Sequence, residues 1–228
     1  MKLDEFPHIL WINMDKSIER RQYMEIILDE YNLENTRITA IDGSTQQLEK
    51  ICVSNPYYSP EENACTCSHL TALKYFVEMM DDDEIIIFED DVDFLFLPYI
   101  PYNWLEFRKI IPDIYDLIQL SISSVCNIIP KLVKRHISTP YYSSTAYLIT
   151  KKTAITLIDK YFRDDGMIDL SIELNSTSDY ILMNFPNIYS IPIFSYQTEN
   201  STIHQSHKNM HDFSKNQQWN EWIHYKHY

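Results

Sequence analysis

The chain has 228 residues, 45% of them hydrophobic, and carries 19 Lys plus Arg against 33 Asp plus Glu, a formal net charge of −14. That length suits a single α/β domain with a full core and no need of disulfide or metal staples. So negative a surface repels nucleic-acid backbones and anionic membranes, which excludes both as bulk partners.

The start, MKLDEFPHIL, is acidic where a signal peptide is basic, and no long apolar run follows. The expectation is a cytoplasmic chain with no membrane span. Residues 8–14, HILWINM, read as a first strand. Ser17 then caps a helix to about Leu33, in which Met24, Ile27, Leu28 and Tyr31 keep the spacing of a buried face. Arg20 and Arg21 fall in its first turn, where the helix dipole disfavours cations; they either meet an anion or are solvated. Residues 36–41 form a second strand closed by the turn Asp42-Gly43, and strand, helix, strand of this length is a right-handed crossover unit. With only two glycines in the chain, Gly43 and Gly166 are both expected at tight turns.

Residues 46–63 are polar and without period, an excursion over the mouth of a site. The four cysteines, Cys52, Cys65, Cys67 and Cys126, have neither disulfide-framework nor zinc-knuckle spacing and read as reduced thiols. A helix is expected to start at Ser68 as N-cap, with Leu70, Leu73, Val77 and Met80 on one face. His69 would then sit in the first turn, where backbone N–H groups meet anions, although a capping or surface histidine is the commoner occupant.

Residues 84–94, EIIIFEDDVDF, are the stretch around which the chain is organised. A run of β-branched and aromatic residues without helical period is a strand buried on both faces, as in a mostly parallel sheet. Glu89, Asp90, Asp91 and Asp93 crown it, at the end where open α/β sheets bind ligands. Four carboxylates there need solvent or a cation. A divalent ion holding a substrate diphosphate answers that need, and it would also offset the −14 charge that repels such a substrate. An idle acidic loop is the plain alternative.

Further along, residues 115–123 and 144–150 read as strands, residues 128–135 as a weaker one, and the second of these feeds a helix with Ala154, Leu157, Ile158 and Tyr161 on one face. Ser178-Asp179 precedes a short helix over residues 180–185, and residues 189–194 make the last strand. The polar, histidine-bearing tail from Thr198 has no repeat. Residues 1–203 are thus expected to form the domain, with residues 204–228 a tail that folds back on the site or leads to a further domain.

Several pieces coincide in order: WINMDKSIERR, the TAIDG turn, CTCSHLTAL, IIIFEDDV, STAYLITKKTA, and the late Asp179, Pro192, Gln197 and Ser201. Together they resemble glycosyltransferase family 25, which includes bacterial lipooligosaccharide galactosyltransferases and procollagen galactosyltransferases. The resemblance spans roughly residues 8–203 and rests on the ordered set, since an isolated EDD is weak. One departure is Ala64, where the family often has Gly.

The resemblance implies a single GT-A-like, Rossmann-like domain, a UDP-sugar donor, Mn²⁺ or Mg²⁺, and inversion at the anomeric carbon. It puts the acidic metal motif at Glu89, Asp90 and Asp91, and a nucleotide pocket at Ile12, Asn13, Asp15, Arg20 and the turn Ala40, Asp42 and Gly43. A divalent ion held by one or two carboxylates, with positions left for phosphate oxygens, acts as Lewis acid for the charge on the leaving oxygen. Asp91 is the first-choice ligand and Asp93 its competitor. If the strand persists that far, Glu89, Asp91 and Asp93 share a face and Asp90 points to ribose or sugar hydroxyls. Inversion requires a general base, placed by resemblance at Asp179, where a helix-stabilising carboxylate is the alternative. His204 could close the metal site from the tail or lie in solvent. Tyr57, Tyr58, Trp104, Tyr141 and Tyr142 are candidate sugar platforms or ordinary packing residues.

The expected function is transfer of galactose or glucose from a UDP-sugar to a hydroxyl of a glycan or protein, with collagen-like hydroxylysine among the acceptors if further domains exist. A phosphoryl or nucleotidyl transferase is less favoured because no Gly-rich phosphate loop exists. A hydrolase would need a second, remote carboxylate to flank the scissile bond. The non-enzymatic alternative is a member that binds a nucleotide sugar, glycan or partner and turns nothing over.

Overall fold

A computed structural model describes residues 1–136, 138–198 and 208–225. The chain opens with β1 (Ile9–Asn13), α1 (Ile18–Glu30), β2 (Asn35–Thr39), α2 (Gln47–Ile51), β3 (Cys52–Val53) and α3 (Pro60–Met79). The middle holds β4 (Glu84–Glu89), β5 (Val92–Asp93), a 3₁₀ turn at Leu97–Tyr99, α4 (Trp104–Arg108), β6 (Leu117–Gln119) and β7 (Val133–Lys134). It closes with β8 (Ala146–Thr150), α5 (Lys151–Tyr161), β9 (Ile168–Asp169), α6 (Ser178–Leu182), β10 (Ile188–Ser190), β11 (Ser195–Tyr196) and α7 (Lys208–Ile223).

One seven-stranded sheet runs in the order β2-β1-β4-β8-β6-β10-β7. β2, β1, β4, β6 and β10 point one way, and β8 and β7 run against their neighbours. This is the α/β class expected from the sequence, with a mostly parallel sheet. Alternation along the strands builds two cores. Leu10, Ile12, Ile85, Ile87, Tyr147 and Ile149 face α3 and α5, meeting Leu70, Leu73, Phe76, Ala154 and Leu157. Ile9, Trp11, Ile86, Phe88, Ala146 and Leu148 face the other way, onto Met24 and Leu28 of α1 and Trp104 and Phe107 of α4. Each such large apolar side chain contributes about 1.5–3 kcal/mol on burial, which is why β4, buried on both faces, anchors the sheet.

Several strands are shorter than expected, β6 and β10 covering Leu117–Gln119 and Ile188–Ser190, residues 46–63 carry α2 and β3, and two further differences bear on the site. α3 starts at Pro60, not after Ser68: Ser59 accepts from Glu62 N while the Glu62 side chain accepts from Ser59 N, and Pro60 takes the first helical position. Small residues in the first turns, Ala64, Thr66 and Cys67, are buried without an apolar period, which hid them. Ser68 is therefore inside the helix, donating to Ala64 O and accepting from Ile41 N. His69 lies well inside as well, so the expectation that it meets anions at a helix start is corrected. The tail, for which no helix was expected, carries α7, whose Trp222 donates to Pro192 O and whose Gln218 donates to Ile122 O. All four cysteines are free. No helix among the described residues is long and apolar enough to cross a membrane.

Gly166 takes φ +83° in a turn, the left-handed conformation that favours glycine. Gly43 matters for a different reason. A Cβ there would meet Pro60 O at 2.5 Å, Pro60 C at 2.6 Å and Glu61 N at 2.7 Å, all backbone at the start of α3. Gly43→Ala is expected to lower stability by about 1–3 kcal/mol, as overpacking does, read by denaturant unfolding. A loss below about 0.5 kcal/mol would show that the turn and α3 are free to separate.

Candidate active site

The carboxyl-terminal ends of β1 and β4 open on a cleft of about 1190 Å³, bounded also by the 40–44 turn, α3, α6 and the 138–145 segment. The volume exceeds an ordinary small-ligand pocket and accommodates two substrates. β4 stops at Glu89. Asp90 and Asp91 form a turn, and Val92-Asp93 leave to pair antiparallel with Ser195-Tyr196.

That turn sends the four acids to different partners. Glu89 Oε1 accepts from Ser144 Oγ at 2.7 Å and lies 3.1 Å from His69 Nε2, whose Nδ1 is 3.1 Å from Tyr147 Oη. Burial pushes the Glu89 carboxyl up, but His69 and Ser144 more than offset this and leave it below its usual range. Both Asp90 oxygens are engaged at 2.7 Å, one by Arg20 Nη1 and the other by Asn13 Nδ2. Burial still leaves Asp90 above its ordinary value. Asp91 Oδ1 is buried and has no hydrogen-bond partner among the described residues. Burial first, then the Glu89 charge, pushes Asp91 up to about 8. Asp93 is held elsewhere, by Lys215 Nζ at 2.8 Å and by Leu95 N.

Across the cleft stands Asp179 in the first turn of α6. Its Oδ1 accepts from Ser143 N at 3.0 Å, and Ser143 itself takes the left-handed φ of +101°. Burial raises the Asp179 carboxyl above its usual range against the pull of Ser143, Arg135 and His69. Beyond Asp179 lies Arg135, immediately after β7.

Ile12, Asn13, Arg20, Ala40, Asp42, Gly43, His69, Glu89, Asp90, Asp91 and Asp179 all line this one cleft. Asp15 and Asp93 are not among its lining residues. Asp15 points outward to Arg37 and Arg21, and the shared face expected for Glu89, Asp91 and Asp93 does not form because the strand ends first. His204 lies outside the described residues. Of the proposed sugar platforms, Tyr142 lines the cleft, whereas Trp104 is buried in the core beside Phe6 and Phe107. Arg20 and Arg21 each have an anion, Asp90 and Asp15.

Sequence reasoning missed Cys65, Lys16, Arg135, Ser144, Ser178, Met210 and His211 of the lining. Cys65 and His69 are an i, i+4 pair on α3, hidden because the helix was expected to start at Ser68; the others carry no local signal. A Cys65 sulfur, a His69 nitrogen and a Glu89 oxygen lie within 4.8 Å of one another. His69 is already engaged on both nitrogens, and burial and then the Glu89 charge raise the Cys65 thiol well above its usual range, opposing the thiolate a soft metal needs.

The Arg20–Asp90 pair is enclosed, at 15% and 10% side-chain exposure. Arg20→Met leaves Asp90 with Asn13 alone, and the expected loss is about 3 kcal/mol in denaturant unfolding, most of it recovered when Asp90→Asn is added. A loss under about 1 kcal/mol would mark the pair as solvated instead.

Residues 6–96 match the family described as Glycosyltransferase family 25 (LPS biosynthesis protein). No curated protein matches the chain. Among solved structures, A197 from STIV is similar at 13% identity and a TM-score of 0.42, over 83% of this chain and 84% of that one. HddC from Yersinia pseudotuberculosis, complexed with GMP-PN, is similar at 13% identity and 0.43, over 84% and 93%. The galactosyltransferase LgtC, in complex with donor and acceptor sugar analogs, is similar at 10% identity and 0.34, over 92% and 95%.

Proposed function

We propose that this chain, whose residues 6–96 match glycosyltransferase family 25, is an inverting, metal-dependent hexosyltransferase. It moves galactose or glucose from a UDP-sugar to a hydroxyl of a glycan or protein acceptor. The observation that carries this reading is the orphaned Asp91 Oδ1, a buried carboxylate oxygen with no donor among the described residues at the head of a large cleft. Its neighbours Glu89 and Asp90 are engaged, so Asp91 is the group that a cation would satisfy. A lone carboxylate leaving room for phosphate oxygens and water suits Mn²⁺ or Mg²⁺, which fits the donor set. When bound, such an ion supplies Lewis-acid stabilisation of the charge on the departing diphosphate.

The remaining work falls to the chain. Ile12, Asn13 and the turn at Ala40, Asp42 and Gly43 wall one end of the cleft and hold the nucleotide. Asp90, fixed by Arg20 and Asn13, presents a rigid carboxylate edge beside it. Asp179 Oδ2 takes the acceptor hydroxyl proton, while Ser143 N–H fixes the other oxygen. Its raised pKa makes it a stronger base than a solvated carboxylate.

The test is thermal unfolding with a panel of nucleotides and UDP-sugars, with and without Mn²⁺. UDP is expected to raise the melting temperature only when Mn²⁺ is present. Equal stabilisation without metal would count against the metal. Tight donor binding with no release of UDP under any acceptor would favour the binding-module alternative.

A further inference from the structure

Among the described residues, three lysine or arginine side chains line the cleft, and two are engaged: Lys16 by Asp42 and Arg20 by Asp90. Arg135 is different. Its Nε and Nη1 are buried, and neither meets a hydrogen-bond partner among the described residues. No ion pair joins it to Asp179, although the Asp179 charge acts on it. A guanidinium is a rigid fork of N–H donors matched to carboxylate and phosphate, and leaving two of them buried and unmet is costly.

The donor does not account for this fork. Arg135 follows β7, the outermost strand on the side opposite β1 and β2. β7 stands four strands away from β4 in the sheet, and the carboxylate whose charge acts on Arg135 is Asp179, not Asp91. What lies next to Arg135 is Asp179, the base of the proposed reaction, and so the acceptor end of the cleft.

We propose that Arg135 forms a subsite for an anionic group on the acceptor, a carboxylate or a phosphate, so that the acceptor is an acidic glycan. This rests on the reading of the cleft as a donor and acceptor site. The acceptor hydroxyl faces Asp179 while its anionic substituent fills the fork. The pairing also keeps Arg135 from drawing Asp179 into an ion pair that would spoil it as a base.

The test is one ligand-observed NMR titration: UDP with Mn²⁺ first, then glucuronate, glucuronamide, glucose 6-phosphate or glucose. Wild-type protein is expected to bind an acidic sugar at least about tenfold tighter than its neutral counterpart. A preference for glucose 6-phosphate assigns the group as phosphate, and one for glucuronate as carboxylate. Arg135→Gln is expected to abolish the preference and Arg135→Lys to keep part of it. Neutral sugars binding wild type as tightly as both acids, or a preference that survives Arg135→Gln, would overturn the proposal. If Arg135→Gln does not fold, the wild-type comparison and Arg135→Lys still decide. Selectivity without UDP binding would remove the donor reading and leave the subsite standing; UDP binding without selectivity would do the reverse.

Discussion

Asp91→Asn protein is expected to lose metal-dependent UDP binding and at least about 100-fold in transfer rate, yet to be more stable than wild type when metal is absent at about pH 8. The two effects have one cause. Asp91 is pushed up to about 8, from an ordinary 3.8, by burial and by the Glu89 charge. A carboxyl with a raised folded pKa keeps a proton that the unfolded chain releases, so the folded state is favoured by this group below about pH 4. That stability is lost as pH rises through the interval from about 4 to about 8. Asparagine carries no charge to desolvate and removes the slope.

A tenfold change in proton affinity is worth about 1.4 kcal/mol, and Glu89 shares the field at this site, so a few kcal/mol is the scale expected at about pH 8. For a chain of this size that is roughly 5–10 °C in melting temperature. Melting curves in EDTA at about pH 5 and about pH 8, for wild type and Asp91→Asn, give the comparison. The gap should widen with pH, then reverse when Mn²⁺ and UDP are added, because they stabilise wild type alone. A gap of the same size at both pH values would mean that Asp91 is solvated, and the case for a cation there would fall with it.

The sheet was legible because its signals are local. The run IIIF in β4, the alternation of ILWIN in β1 and the spacing of Ala154 and Leu157 in α5 each report burial within one element. Of the cleft-lining residues, Asp91 was readable locally, as part of an acid cluster at the end of a buried strand, whereas Asn13 and Asp179 came only from the ordered motifs. What failed depended on contacts between distant segments. Whether β4 continues to Asp93 is decided by β11, and where Asp93 points by Lys215, 122 residues later. α7 was missed because its buried face mixes polar and aromatic groups: Ser214 accepts from Ser124 N and buried Gln218 donates to Ile122 O, beside the buried Trp222. A buried face of Ser214, Gln218 and Trp222 leaves no regular apolar stripe to read. Ser59, Pro60 and Glu62 were legible, and the α3 start was missed because Ser68 offered a second plausible cap before a stronger apolar period.

Asp179→Asn is expected to lower kcat by about 10²–10⁴ while leaving UDP and Mn²⁺ binding within about twofold of wild type. The substitution is chosen because Asn keeps a carbonyl oxygen for the Ser143 N–H, so the strained Ser143 backbone at φ +101° retains its anchor. What it loses is the lone pair that takes a proton. In wild type the acidic limb of the kcat profile should lie above the usual carboxylate range, because burial raises Asp179. The sign follows from the role: a base works when deprotonated, so rate rises with pH through the raised pKa and then levels. The variant should show residual transfer without that limb. Asp90→Asn serves as the contrast, since both Asp90 oxygens are engaged by Arg20 and Asn13 and none is free to accept a proton from a hydroxyl. Should Asp179→Asn retain kcat within about threefold, or lose donor binding together with rate, Asp179 would be a helix-stabilising carboxylate and the base would have to be sought elsewhere along the cleft.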